Sequence, residues 1–210
     1  MILFDLDGVL LNSRENMCYS WEKAAAKAGV EVEFEAYFKE IGRPFQTILQ
    51  RIGVADPDHV IESTFRVASM ERLDLLSFYP NVQRVLGQLS SEGFKLGIVT
   101  SKDKMRTNAI IAMLAVEFDS VRSPNENLRG KPAPDHLLMA MVQANVDPAE
   151  TLYIGDMDAD CEAAQRAGVD YAHATWGYGN QPQEDCWILS EISDLLMTES
   201  NNKPEENTSG

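Results

Sequence analysis

The chain opens "MILFDLDGVLLNS", an apolar run that leads directly into Asp5 and Asp7. A buried strand that ends on two carboxylates one residue apart poses a chemical problem. An unpaired buried acid costs on the order of several kcal/mol or takes up a proton. Two such acids call for a cation or for a role in proton transfer. Three more clusters close apolar runs or stiff turns in the same way. "KLGIVTS" stops on Thr100 and Ser101, whose hydroxyls and backbone N–H groups suit a phosphoryl oxygen. "TLYIGDMDAD" stops on Gly155 and then presents Asp156, Asp158 and Asp160. One acid there serves to cap a helix; three exceed what capping needs. "RGKPAPD" sets Lys131 between Gly130 and Pro132, in a chain stiffened by two prolines. Each cluster alone has a bland explanation. In this order, Asp-x-Asp, Thr-Ser, Lys and Asp-x-x-x-Asp supply a nucleophile, a proton donor, phosphate ligands and a carboxylate cage. Carboxylates that share a cation with phosphate oxygens and waters suit Mg²⁺.

The elements that must position these residues follow from the pattern. Short apolar runs predict strands at 1–4, 95–100, 151–155 and 169–175, with shorter ones at 118–121 and 187–189. Helical segments fall between them at 81–92, 103–115, 134–145 and 158–167. The last has acids in its first turn, Gly168 just past its end, and a small face of Ala163, Ala164 and Ala167 that can pack close to a sheet. Strands alternating with helices predict βα units and a mostly parallel sheet. Such sheets bind ligands beyond the carboxyl ends of their strands, where Asp5 and Asp7 fall.

Between about 14 and 78 the alternation stops and the pattern is helical. "RENMCYSWEKAAAKAG" ends on Gly29, a second segment covers 33–40, a third follows Pro44 and a fourth follows Pro57. The expectation is a Rossmann-like three-layer α/β core built from 1–13 and 79–198. A helical cap at 14–78 is inserted after the first strand, with crossings near 12–15 and 77–80. The polar end, 199–210, reads as a disordered tail. Met105, Met113, Met139 and Met141 read as core filler, and Trp176 either lines the mouth of the site or packs in the core.

The chain has 210 residues, with 18 basic against 33 acidic ones and a net charge of −15. That balance argues against nucleic acid or a membrane surface as partner. It would also repel an anionic substrate unless a bound cation reversed the local field. Three cysteines without zinc spacing, and an N-terminal run broken by two aspartates, predict a cytoplasmic protein. It is expected to act as a monomer or dimer.

The ordered motifs make the chain similar to the haloacid dehalogenase superfamily of phosphohydrolases. "FDLDGVLLNS", "GIVTS", "KPAPD" and "GDMDAD" resemble its four motifs in the family's order, and the block at 14–78 resembles the cap of subclass I. "TWGYG" (175–179) resembles a loop common in phosphoglycolate-phosphatase-like members. The resemblance implies an Mg²⁺-dependent phosphohydrolase acting on a small phosphorylated metabolite. Asp5 would be the nucleophile and Asp7 the general acid and base. Mg²⁺ would be held by the Asp5 carboxylate, the Asp7 backbone carbonyl and Asp156, with Asp160 steering a bound water or Lys131. Thr100, Ser101 and Lys131 would hold phosphoryl oxygens, and Gly8 would permit the turn that brings chain and metal together. By position, Arg43 of "EIGRPFQTIL" belongs to the cap loop that reaches the site, where it would contact a second anionic group. A mutase of the β-phosphoglucomutase kind is the main alternative; Phe45 stands near the position where such mutases carry an arginine. A pyrophosphatase, and less so a non-catalytic relative, are the others. A true dehalogenase is disfavoured by Asp7, and a phosphorylatable receiver by the order of its acids and the long cap.

Overall fold

The structure, a computed structural model, describes residues 1–125, 127–180 and 186–196. The tail expected at 199–210 lies outside the described residues.

Six parallel strands form the central sheet: β1 (Ile2–Phe4), β4 (Leu96–Val99), β5 (Ser120–Arg122), β6 (Leu152–Gly155), β7 (Asp170–Ala174) and β8 (Trp187–Leu189). Their order is β5-β4-β1-β6-β7-β8. β1 is central, with Ile2 beside Leu96 on one side and Leu152 on the other. It is buried along its whole length, as a strand covered on both faces must be. Helices close both faces. On one, α5 (Val82–Ser91) buries Val82, Val85, Leu86 and Leu89, a spacing that makes a single helical stripe. On the other, α7 (Asp135–Ala144) and α8 (Asp158–Ala167) pack against Leu3 and Tyr153. The small alanine face of α8 allows that close approach. The fold is therefore a three-layer, Rossmann-like α/β sandwich.

Four helices follow β1 before the sheet resumes: α1 (Arg14–Ala28), α2 (Phe34–Phe38), α3 (Phe45–Arg51) and α4 (Val60–Glu71). They share an apolar cluster of their own, built on Trp21, Tyr37, Ile48, Leu49, Ile61 and Phe65. Trp21 stacks on Tyr37 with centroids 4.7 Å apart. Asn16 of α1 donates to the carbonyls of Ser69 and Arg72, so the two long helices are also fixed by buried polar contacts. The chain enters and leaves this helical unit through an antiparallel ribbon, β2 (Leu11–Asn12) against β3 (Ser77–Phe78). The sequence suggested bare crossings there. Two-residue strands carry no period, so the ribbon leaves no trace in the pattern.

α6 spans Lys104–Ile111, shorter than the expected 103–115. Met113 therefore lies beyond the helix and is 51% exposed, and Met105 in its first turn is 57% exposed. Met139 is exposed as well; of the four methionines read as core filler, only Met141 is buried. Among the described residues, no helix is long and apolar enough to cross a membrane.

Candidate active site

The carboxyl ends of β1, β4 and β6 bring the sequence clusters together. Asp5, Thr100, Lys131, Asp156 and Asp160 are all buried. Lys131 Nζ lies 3.0 Å from Asp5 Oδ2 and 2.6 Å from Asp160 Oδ1. Asp160 is fully engaged: Oδ1 also accepts from the Tyr153 hydroxyl at 2.9 Å, and Oδ2 accepts from the Met157 backbone N–H at 3.0 Å. The latter bond closes the first turn of α8 in the manner of a capping box. Asp160 thus fixes Lys131 and the loop ahead of the helix.

Asp156 is different. Its Oδ2 accepts from the Tyr178 backbone N–H at 2.7 Å, while its buried Oδ1 has no hydrogen-bond partner. One oxygen each of Asp5, Asp156 and Asp160 lie within 4.8 Å of one another. Burial, added to by the charges of Asp160 and Asp5, pushes Asp156 well above the usual carboxylate range. Burial likewise raises Asp5 to about 7, against the lowering pull of Lys131. Burial opposes the charge on Lys131, but Asp160 and Asp5 outweigh it and hold the ammonium above its ordinary value. One lysine does not neutralise three buried acids. A hard divalent cation fits this oxygen set and the orphaned Oδ1. Gly8 is required beside it: φ is +85°, and a Cβ there would lie 2.1 Å from Asp156 Oδ2.

Asp7 stands at the rim. Its Oδ1 accepts from Ser13 Oγ at 2.5 Å and lies 3.1 Å from Lys102 Nζ. A cleft of about 180 Å³ opens beyond it toward the helical unit, lined among others by Asp5, Asp7, Tyr37, Arg43, Lys102 and Arg106.

The sequence model of the haloacid dehalogenase-like hydrolase family matches residues 2–174. The chain belongs to this family. It is 31% identical to a phosphoglycolate phosphatase of Aquifex aeolicus, over 96% of this chain and 97% of that protein. It is 30% identical to pyrophosphatase PpaX of Bacillus velezensis, over 93% and 94% of the two chains. Its fold is similar to the crystal structure of a predicted phosphoglycolate phosphatase from Haemophilus somnus, with TM-score 0.84 at 24% identity, covering 95% and 97% of the chains. The protein is a phosphatase-type enzyme of the haloacid dehalogenase-like hydrolases.

Within this hydrolase not every residue singled out from the sequence faces the carboxylates. The Ser101 hydroxyl donates to the Gly42 carbonyl at 2.7 Å, tying the end of β4 to the helical unit. Arg43 lines the cleft, 3.7 Å from Glu40. Trp176 packs against the core and donates to the Val9 carbonyl at 3.0 Å. Three neighbours of the site escaped the sequence reading. Lys102 follows Ser101 and looks like any surface lysine, yet it is buried, and burial lowers its basicity against the pull of Asp7. Ser13 falls in the crossing near 12–15 and carries no pattern of its own. Tyr178 sits in "TWGYG" beside a more conspicuous tryptophan.

Proposed function

We propose that the protein is an Mg²⁺-dependent phosphohydrolase that cleaves a small phosphomonoester through an aspartyl-phosphate on Asp5. The observation that carries this reading is the buried set Asp5, Lys131, Asp156 and Asp160, with Asp156 Oδ1 unpartnered. Asp5 attacks phosphorus while the bond to the leaving oxygen breaks. Asp7 gives its proton to that oxygen, and Lys102 balances the charge left on Asp7. Asp7 then takes a proton from water as the water attacks phosphorus. The bond to Asp5 breaks, inorganic phosphate leaves, and both acids return to their starting states. Lys131 and Thr100 hold the non-bridging oxygens, where charge spreads in the transition state. Mg²⁺, held by the Asp5 and Asp156 carboxylates and the Asp7 carbonyl, would neutralise the phosphoryl group and the acids facing it. Asp160 aims Lys131. The helical unit acts as a cap that excludes bulk water.

The cations of the cleft support a substrate with a second anionic group. Arg43, Arg66, Lys102 and Arg106 line it; Arg66 is paired with Glu62, Arg106 with Asp103 and Lys102 with Asp7, while Arg43 lies 3.7 Å from Glu40. Phosphoglycolate and pyrophosphate, the substrates in the relatives' names, both carry such a group. Pyrophosphate is therefore the second reading. The test is phosphate release in Mg²⁺ from a panel of sugar phosphates, phosphoglycolate, nucleotides and pyrophosphate. The wild-type protein is expected to turn over at least one member, and Asp5→Asn none. No turnover on the whole panel, or full activity in Asp5→Asn, contradicts the assignment.

A further inference from the structure

Residues 175–179 follow β7 and cross over the beginning of the chain. The Tyr178 hydroxyl accepts from the Ser13 backbone N–H at 2.6 Å and lies 3.4 Å from Ser13 Oγ and 3.3 Å from Asn12 Oδ1. Its backbone N–H holds Asp156, and its ring meets Phe38 of α2 edge-on with centroids 5.0 Å apart. The loop is pressed onto Asp156 so closely that a Cβ on Gly177 would lie 2.2 Å from the Asp156 Cβ. One residue therefore touches a carboxylate of the buried pit, the entry to the helical unit, and the helical unit itself.

Ser13 occupies the N-cap position of α1, where a serine ordinarily accepts from the helix's exposed N–H groups. Its side chain makes no capping bond here. Its Oγ donates to Asp7 Oδ1 instead. A broken local rule of this kind marks a functional constraint. Ser13 and Lys102 both meet Asp7 at Oδ1.

We propose that Tyr178 is a positioning residue: through Ser13, its hydroxyl holds Asp7 in the orientation that proton transfer needs. The proposal rests on the phosphohydrolase reading above. Tyr178→Phe keeps the ring on Phe38 and the backbone N–H on Asp156 and removes only the hydroxyl. With the best substrate of the panel in Mg²⁺, it should lower kcat about tenfold and leave KM within about twofold, because the phosphoryl-holding groups are untouched. Ser13→Ala should behave alike. The double variant should lose no more than the worse single one, since both substitutions break one chain of contacts. The urea midpoint of Tyr178→Phe, measured beside the kinetics, separates this role from a structural one, which would shift midpoint and KM together. An unchanged kcat in Tyr178→Phe, or losses that multiply in the double variant, overturns the proposal. If Tyr178→Phe does not fold, Ser13→Ala carries the test, and full kcat there overturns it. A wild-type protein inactive on the whole panel overturns the phosphohydrolase reading instead.

Discussion

Asp5 and Asp7 are one residue apart and belong to two different regions. Asp5 lies in a pit whose other members, Lys131, Asp156 and Asp160, all come from the sheet side of the molecule. Asp7 lies at a rim, where its contacts come from the loop after β4 and from the entrance to the helical unit. The pit is fixed by buried charge and by the ends of strands. The rim depends on a junction between two packed bodies. On the proposed mechanism the contrast suits a nucleophile that is held still and a proton donor that meets leaving groups delivered under the helical unit.

Substitutions at the two acids sharpen this contrast most. On the proposed mechanism, Asp5→Asn removes the group that bonds to phosphorus, and turnover should fall below detection. On the same mechanism Asp7→Asn removes proton transfer alone, and kcat should fall by about 10²–10⁴. Steady-state phosphate release measures both. Equal residual rates in the two variants would erase the distinction between pit and rim.

A smaller effect probes the pit by itself. Asp5 is raised from 3.8 to about 7 in the metal-free protein, and Asp156 moves the same way. The folded state then binds more protons than the unfolded one between roughly pH 4 and 7, so stability falls as pH rises through that window. Above it Asp5 carries its charge. Mg²⁺ should therefore raise the melting temperature clearly at pH 8 and little at pH 5. Thermal melts with and without Mg²⁺ check this, and equal shifts at both pH values would break the account of the pit.

The smallest expected effect lies beyond the rim. Arg43→Ala should raise KM about tenfold for a substrate with a second anionic group and leave one without it unchanged. Michaelis curves on two such substrates decide it; equal changes remove Arg43 from substrate recognition.

The same contrast explains what could be read from the sequence. Asp5, Thr100 and Asp156 end or follow short apolar strands, so a periodic signal points at them, and Lys131 sits in a stiff proline turn. The alternation of strands and helices gives the parallel sheet. The rim gives no such signal. The β2–β3 ribbon is too short to show a period, and Ser13, Lys102 and Tyr178 reach Asp7 only through the directions their side chains take. Ser101 illustrates the limit: its place after β4 is readable, but its hydroxyl turns to the Gly42 carbonyl. Met113 misleads for a related reason, because α6 stops at Ile111 before that residue can join a buried face.

The central claim is that Asp5 forms the covalent intermediate. Its most direct test is mass spectrometry of protein mixed with the best panel substrate in Mg²⁺ and quenched in acid during turnover. The account predicts one added phosphoryl group, located to Asp5 in the N-terminal peptide and absent in Asp5→Asn. A phosphoryl group on another residue, or steady turnover by Asp5→Asn, would contradict it.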